Sequence, residues 1–358
     1  MARLYLERAG PSIPIDLWLD FRLPPRISDN NPIIPFLLHN IHRCKSLTIQ
    51  ASGYNIVGLF PLTGHVYLLR NLDLRLDGLY PVMGTSPPHL LPYSGLRLHS
   101  LSISGFPQAA WPNIEWEWLS HLTLSRVTML SSHYFETILR QCTNLVSLQC
   151  DLSPIEVMPG ASPGHIELPR LTLLDMGTCT SFPAFLIHAP QLLHLCIREV
   201  APLLVTDPPL NPELIEFPLL RTIVLSQSPN WAQFLLGFLD ACPNLTALEL
   251  LAREPMADIL KEFALNPLGT TLETNMMRNP ALIHIRLRIP RQTGTPTLSR
   301  KSIWTSLERI LHQRPQLSLD FEATSSFTNG LKDLSSVFPG RVRAVDDFEK
   351  EPPLSDLY

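Results

Sequence analysis

The chain has 358 residues, of which 45% are hydrophobic and 17% are charged, and its formal net charge is −4. A chain this apolar can bury enough surface to offset the entropy of folding, which excludes general disorder. The small negative charge, without a basic stripe along the sequence, argues against nucleic acid as a partner.

The start of the chain and its apolar runs predict where the protein resides. The opening MARLYLERAGPSIP carries charges where a secretory signal would need an apolar core. Apolar runs such as residues 234–236 are far shorter than the roughly 20 residues that cross a membrane. We therefore expect an intracellular protein, cytoplasmic or nuclear, that does not contact a membrane.

The first segment, residues 1–30, is expected to contain a linking helix and a strand. Residues 13, 15, 17, 19 and 21 are apolar and alternate with polar or small residues or Trp18, which is the period of a strand with one buried side. Such a strand can cap the first unit of a repeat array. A helical apolar face follows at residues 33–41.

A motif of the form L-x-x-L-x-L recurs through residues 31–325. The spacing between successive copies averages about 26 residues, inside the range of roughly 20 to 29 for leucine-rich repeats. The pattern predicts an α/β leucine-rich-repeat solenoid of about ten to eleven repeats, with a curved parallel β-sheet on the concave face and helices and loops on the convex face. The first positions of ten copies are Cys44, Leu69, Leu98, Leu119, Leu145, Leu171, Leu192, Leu220, Leu245 and Leu282.

The connectors between these strands are of two types. In the clearest copy, residues 230–251, an amphipathic helix runs into a Cys-Pro-Asn corner and leaves as a strand. Other strands are entered through an acidic residue and proline, as in ELPRLTLL from residue 167. Further helices are predicted at 132–139, 256–263 and 303–311, a last strand at 316–321, a capping helix within 326–340, and a loose acidic tail at 341–358.

The sequence indicates neither an enzyme nor a metal site. It contains no G-x-S-x-G, H-E-x-x-H, G-x-x-x-x-G-K-[ST] or G-x-G-x-x-G motif. Its six cysteines include no C-x-x-C pair, so thiols dispersed through the repeat core are favoured over zinc ligands. We expect no catalytic residues, no cofactor and no metal.

Alternation along each strand should send the third, fifth and seventh motif positions to the exposed concave face. A partner bound there is one interpretation; a merely solvated sheet with binding at edge loops is another. Within this register Leu248 is expected to be structural, and Glu249 to be replaceable with little effect on stability. The candidate partner-binding residues are Asn71, Asp73, Arg75, His121, Thr123, Gln149, Asp151, Asp175, His194, Arg198, Glu249, His284, Arg286 and Arg288.

Three tryptophans occur close together in WPNIEWEWLS, before the fourth motif. Trp111, Trp116 and Trp118 could anchor a partner, since tryptophan is frequent at the centre of interfaces. They could equally fill the core at a long corner. The sequence leaves both interpretations open.

Three stretches carry a resemblance to a known family. LYLERAGPSIPIDLWLDF, then LLHNIHRCKSLTI, then strand starts of the form LP-x-L and CP-x-L, together resemble the leucine-rich-repeat region of the fungal F-box protein family. Members of that family carry an F-box, a helical module that docks a Skp adaptor and through it a cullin ubiquitin ligase. Here Pro24, Pro25 and Pro32 would interrupt its helices, so we expect that the F-box is not present in this chain.

The resemblance implies a function in protein recognition. The array would select a substrate protein for a Skp/cullin ubiquitin ligase, and would meet a Skp adaptor only if an F-box lies upstream. The alternative is a stand-alone leucine-rich-repeat scaffold without a ligase link.

Overall fold

The fold is described from a computed structural model. The described residues are 13–21, 39–52, 66–78, 96–106, 108, 111–127, 132–152, 166–178, 187–199, 217–226, 242–251, 281–288, 300–322 and 328–345. They form an α/β structure in which parallel strands predominate. The chain divides into two compact units, the first comprising residues 1–162 and 166–168 and the second residues 163–165 and 169–358.

Six parallel strands build the first unit, and each pairs with the next along the chain. A helix, α1 (Ser132–Gln141), precedes the sixth strand, and two short 3₁₀ turns, Ile41–Arg43 and Trp116–Trp118, precede the second and fifth. A further two-residue strand is β7 (Ile166–Glu167). The six are β1 (Ile15–Phe21), β2 (Cys44–Ser52), β3 (Asn71–Asp77), β4 (Ser100–Ser104), β5 (His121–Val127) and β6 (Ser147–Leu152).

Seven parallel strands build the second unit, again paired in chain order. Two helices, α2 (Arg300–Gln313) and α3 (Thr328–Val337), precede the last two strands, and β9 (Ile187–His188) is a short additional strand. The seven are β8 (Leu173–Thr178), β10 (His194–Glu199), β11 (Thr222–Ser226), β12 (Ala247–Leu251), β13 (His284–Arg288), β14 (Ser318–Glu322) and β15 (Val342–Val345).

All ten strands predicted from the repeated motif are present. The first motif residue is buried in every copy, with at most 1% of its surface exposed, and the strand begins at this residue in β2 and two residues later in the others. The strands β1 and β14 and the helices α1, α2 and α3 confirm five further elements that the sequence predicts. The helices expected at 231–239 and 256–263, and the linking helix before residue 13, lie outside the described residues. Of the helical face expected at residues 33–41, residues 33–38 also lie outside them, while residues 39 and 40 are helical and Ile41 begins the first 3₁₀ turn.

One side of each unit is a continuous apolar core because the strands pair in a register that keeps their leucines in rows. In the first unit Ile49, Leu74, Ile103 and Leu124 lie at matching positions of four successive strands, and all four are fully buried. Burying one such side chain contributes about 1.5–3 kcal/mol. No strand could bury this face alone, which explains the repetition.

The corners before the strands are β-turns closed by the first leucine of the motif. The N–H of Leu145 donates to Cys142 O, and that of Leu245 to Cys242 O, at 3.1 and 3.2 Å. The acidic-Pro connector before β11 closes in the same way, since Leu220 N–H donates to Phe217 O at 3.2 Å. The two connector types of the sequence thus share one turn hydrogen bond. Pro218 and Pro243 occupy the second turn position, where the fixed φ of proline fits, and Thr143 occupies it in the remaining turn.

Residues 341–345 are more ordered than expected. Residues 342–345 form β15, which pairs parallel with β14, so the prediction of a loose tail is wrong for these residues. The Arg341 guanidinium lies beside them and donates to the carbonyls of Leu311, Arg314 and Leu317 at 2.9, 2.6 and 3.0 Å. A cation there satisfies carbonyls at the end of α2. Residues 346–358 lie outside the described part of the chain.

Candidate functional site

A polar face covers the first unit on the side of the sheet opposite its leucine core. Each of the six strands contributes three alternate residues, aligned by the parallel register. All but one of these eighteen side chains are at least partly exposed, the exception being Ser104. The polar face consists of Asp16, Trp18, Asp20, Ser46, Thr48, Gln50, Asn71, Asp73, Arg75, Ser100, Ser102, Ser104, His121, Thr123, Ser125, Ser147, Gln149 and Asp151.

The structure brings together the predicted candidates of the first unit on this face. Asp73 and Arg75 of β3 form an ion pair of 2.7 Å, and Arg75 Nε also donates to both carboxylate oxygens at 3.1 and 2.9 Å. The hydrogen bond and charge of Asp73 raise the pKa of Arg75. Further along, Thr123 Oγ1 donates to Gln149 Oε1 at 3.4 Å. The centre of the face therefore offers hydroxyl and amide groups with one internally paired cation.

Sequence reasoning missed Trp18. It lies on β1 opposite Thr48, on the polar face, and 70% of its surface is exposed. Asp16 and Asp20 flank it on the same face. The signal was present in the sequence: the alternation that assigns residues 15, 17, 19 and 21 to the core assigns residues 16, 18 and 20 to the opposite side.

His121 takes part in a small cluster at one edge of the polar face. Its Nδ1 lies 2.7 Å from Ser120 Oγ, and its ring lies 5.2 Å from that of His99. Burial and then the charge of His99 lower the pKa of His121. Ser120 Oγ also lies 2.9 Å from the His99 carbonyl oxygen and 3.0 Å from His99 Nδ1, so several groups surround a hydroxyl that has a single proton to donate.

In the second unit the structure corrects the predicted exposure of three candidates. Glu249, His284 and Arg286 were expected on an exposed face, but they are only 8%, 8% and 2% exposed. They do alternate with core residues such as Leu248 and Ile285. Alternation determines on which side of a strand a side chain lies, whereas burial depends on everything else that surrounds that side.

These buried groups belong to a row of alternating charges across β12 to β15. Arg286 Nη1 lies 3.5 Å from Glu249 Oε2, and its Nη2 lies 3.9 Å from Asp320 Oδ2. Arg343 donates to both oxygens of Asp320, at 3.0 and 2.7 Å. His284 Nε2 approaches the same carboxylate at 3.4 Å. We call Glu249, Arg286, Asp320 and Arg343 the charge row; within it each charge lies beside a charge of opposite sign.

The electrostatics of Asp320 follow from this arrangement. Burial by itself would raise the pKa of the carboxyl group, but hydrogen bonds from His284 and Arg343, together with their charges, outweigh it and hold the pKa well below its ordinary value. The carboxylate is therefore ionised at any physiological pH.

The remaining predicted residues of the second unit do not form a defined site. Asp175 and His194 are half-buried on β8 and β10. Arg198 and Arg288 lie on β10 and β13, and their side chains are outside the described set. The described part of the molecule therefore favours the polar face of the first unit as the candidate site.

The structure separates the three tryptophans of the cluster into two buried residues and one exposed residue. Trp111 and Trp116 are 3% and 9% exposed, their rings lie 6.4 Å apart, and Trp111 Nε1 donates to Phe106 O at 3.3 Å. They fill the core. Trp118 is 48% exposed, and the Arg97 guanidinium lies 5.1 Å from its ring centroid.

The described cysteines, metal-ligating residue types and helices indicate no further candidate site. Cys44, Cys142, Cys150 and Cys242 are buried thiols, and burial raises the pKa of Cys142 and Cys242 to about 12; Cys179 lies outside the described residues. Among the residues described, no group of three or more His, Cys, Asp or Glu side chains is placed to hold a metal ion. Across the same residues, no helix combines the length and apolarity needed to span a bilayer.

Comparison with known proteins adds no assignment. The chain matches none of the protein-family models, and none of the curated proteins matches it.

Proposed function

We propose that this protein recognises another protein through the polar face of its first unit. One observation carries the proposal: seventeen of eighteen side chains, from six adjacent strands, are at least partly exposed on one side of the sheet. The described alternate residues on the other side are buried, apart from Leu17 and Leu19, which are half-buried. Six strands spaced about 4.8 Å apart extend over about 24 Å, a distance that about seven residues of an extended peptide cover.

We further propose that the chain is a leucine-rich-repeat solenoid with this face on its concave side. Support comes from the parallel strands in chain order, the buried first residue of each motif, and the corner turns. Asn144 Nδ2 donates to Glu117 O and Asn244 Nδ2 to Pro218 O, both at 2.7 Å. Both bonds tie one corner to the preceding one, as expected for stacked repeats.

The resemblance to the fungal F-box family supports a more specific proposal. The bound protein would be a substrate for a Skp/cullin ubiquitin ligase, acting in the cytoplasm or nucleus; the alternative is a stand-alone scaffold. Co-precipitation of the full-length gene product with a Skp adaptor tests the choice. Recovery of the adaptor supports the ligase role, and its repeated absence while the protein partner is retained supports the scaffold.

Binding through the polar face is tested by locating the contact. Proximity labelling in the native cell identifies the partner, and its affinity is then measured with purified full-length proteins. We expect Thr123→Arg/Gln149→Arg to abolish binding, because two bulky cations would stand at the centre of the face. The matched control is Gln141→Arg, at the exposed end of α1, which should bind as the wild type does. Wild-type affinity in the double variant would refute the proposal.

A further inference from the structure

A β-bulge near the end of β5 turns Arg126 away from the core. The pairing of β5 with β6 shifts between Ser125 and Val127, so Arg126 is an extra residue in the strand. Without the bulge, the alternation that buries Leu122 and Leu124 would direct residue 126 toward the same core. Instead Val127 is buried and Arg126 is exposed. Bulges that re-aim a side chain in this way are frequent beside functional sites.

The bulge holds Arg126 in a strained backbone conformation. Its φ is 50°, in the left-handed region, and among the described residues it is the only one other than glycine with a positive φ. This conformation is unfavourable for a residue that has a Cβ atom. Such residues cluster at binding and active sites, where the conformation positions a side chain for its function. Glycine would adopt this φ without strain, so the reason for an arginine here lies in its side chain.

The Arg126 side chain reaches back over the polar face at the ends of β3, β4 and β5. Its Nη2 donates to Ser104 Oγ at 3.1 Å and lies 3.8 Å from Asp77 Oδ1. Ser104 is the one member of the polar face that is buried, which agrees with a guanidinium lying over it. Arg126 therefore belongs to the same surface as the eighteen aligned side chains, although it stands outside their register.

Most of the hydrogen-bonding capacity of this guanidinium is available to a ligand. The group carries five N–H donors, and its one hydrogen bond within the described residues is the bond to Ser104. The separation of 3.8 Å from Asp77 is too long for a hydrogen bond, and the Arg126 side chain is 61% exposed. Arg75 on the polar face differs, because its Nε already donates to both carboxylate oxygens of Asp73.

We propose that Arg126 binds a carboxylate of the partner protein at the edge of the polar face where β3, β4 and β5 end. This inference rests on the proposed function. The planar fork of a guanidinium pairs with a carboxylate through two parallel N–H···O bonds. Meanwhile Nη2 keeps its bond to Ser104 Oγ, which holds the side chain in place before the partner arrives and so reduces the entropy lost on binding.

The charge beside Arg126 favours a carboxylate over a phosphate. Asp77 lies 3.8 Å away and repels any anion that approaches the guanidinium. A carboxylate brings one negative charge to this site, whereas a phosphorylated side chain brings nearly two. An aspartate or glutamate side chain of the partner is therefore the expected ligand.

A seven-residue peptide of serine and threonine with one central glutamate serves as the probe. It is blocked at both ends and labelled with tetramethylrhodamine, and its binding to the full chain is measured by fluorescence anisotropy. A peptide with glutamine at the centre keeps the shape and removes the charge. We expect the glutamine peptide to bind about tenfold more weakly or less, because a hydrogen bond between charged groups is stronger than one to a neutral amide.

Variants at Arg126 locate the contact. Arg126→Gln should weaken binding of the glutamate peptide by about tenfold to hundredfold, the range of a hydrogen bond between charged groups. Arg126→Lys should keep part of the affinity, because it retains the charge but loses the planar fork. Arg140→Gln is the matched control: it removes the same charge from an exposed side chain of α1 and should bind as the wild type does.

Arg126→Gly separates recognition from a role in packing. Glycine adopts the positive φ without strain, so this variant should unfold at the same urea concentration as the wild type or a higher one, while it loses affinity for the glutamate peptide. Lower stability with unchanged affinity would mean that Arg126 serves the fold alone and would overturn the inference. Equal binding of the two peptides, no binding of either, or an unchanged affinity in Arg126→Gln would overturn it as well.

The two proposals fail separately. If the native partner is lost by Thr123→Arg/Gln149→Arg but held with full affinity by Arg126→Gln, the face binds protein and the inference about Arg126 is wrong. If both variants retain the partner, the proposed function is itself wrong.

Discussion

Replacement of Arg286 by methionine tests whether the charge row stabilises the second unit. Arg286 is 2% exposed, and its guanidinium lies 3.5 Å from Glu249 and 3.9 Å from Asp320. Methionine preserves much of the aliphatic volume and removes the positive charge. Glu249, itself 8% exposed, would then keep its negative charge in a buried position.

The size of the effect follows from the distances. With an effective dielectric constant of about 20, two unit charges at 3.5 Å attract each other by about 5 kcal/mol, before the cost of removing them from water is subtracted. Removing one partner of a buried pair costs about 3–5 kcal/mol, because the remaining charge is left without its compensation. We expect Arg286→Met to lower the free energy of unfolding of the second unit by this amount.

Urea unfolding measures this loss. Far-UV circular dichroism follows the whole chain, and the ¹⁹F resonance of fluorinated Trp304, whose ring lies 5.3 Å from that of Phe321 in β14, follows the second unit. The double variant Glu249→Leu/Arg286→Met replaces the ion pair by an apolar pair and should recover most of the stability.

The same substitution at an exposed pair is the matched control. Arg75→Met breaks the ion pair with Asp73, but the Arg75 side chain is 52% exposed, so the expected loss is at most about 1 kcal/mol. An equal effect of Arg75→Met and Arg286→Met, or a double variant no more stable than Arg286→Met alone, would refute the reasoning from burial.

Three further predictions concern pH, core packing and thiol reactivity. Because the pKa of Asp320 is depressed in the folded state, its contribution to stability is present above its unfolded pKa of about 3.9 and is lost as pH falls below it; the wild type should therefore lose more stability than Asp320→Asn in acid unfolding from pH 5 to pH 2. Leu248→Ala should cost about 2–5 kcal/mol in urea unfolding, because Leu248 is 1% exposed in the core of β12. Since burial raises the pKa of the Cys142 and Cys242 thiols to about 12, iodoacetamide at pH 8 should leave both unmodified in the native protein and modify both in urea, as mass spectrometry can show.

Each of these has a contrary outcome. If wild type and Asp320→Asn lost the same amount of stability between pH 5 and pH 2, the ionised Asp320 carboxylate would not be stabilised by its partners in the folded state. Leu219→Ala, at a residue 40% exposed beside the β11 corner, is the control for Leu248→Ala, and equal costs would contradict the inside-outside assignment. Alkylation of Cys142 and Cys242 at the same rate in native and unfolded protein would show that they are not buried.

The expectation for Glu249 illustrates where sequence reasoning stopped. Its alternation with Leu248 and Leu250 correctly separated it from the leucines, and from this a neutral Glu249→Ala substitution was expected. In the structure Glu249 is buried and faces Arg286 on the adjacent strand, so we now expect the substitution to destabilise the protein. The pairing joins residues 249 and 286, whose proximity depends on the register between β12 and β13.

For Trp18 the local alternation was sufficient to predict its side of the strand. In the sequence analysis that alternation identified only the core residues of β1, and the residues between them were not considered. The period of two that places Leu17 and Leu19 toward the core places Trp18 on the polar face. Its exposure, however, could not be inferred from this pattern, since Glu249 has the equivalent placement in its own unit and is buried.

Repeated local patterns therefore determined the strands, the side of each strand that faces the core, and the corner turns. Each of these depends on residues within one short segment: an apolar residue at every second position, or a proline inside a four-residue turn. Tertiary structure decided which polar residues remain accessible and which charges compensate one another. Those properties arise between strands that are 20 or more residues apart in the chain, as for Glu249, Arg286 and Asp320, and burial is a property of everything that surrounds a side chain.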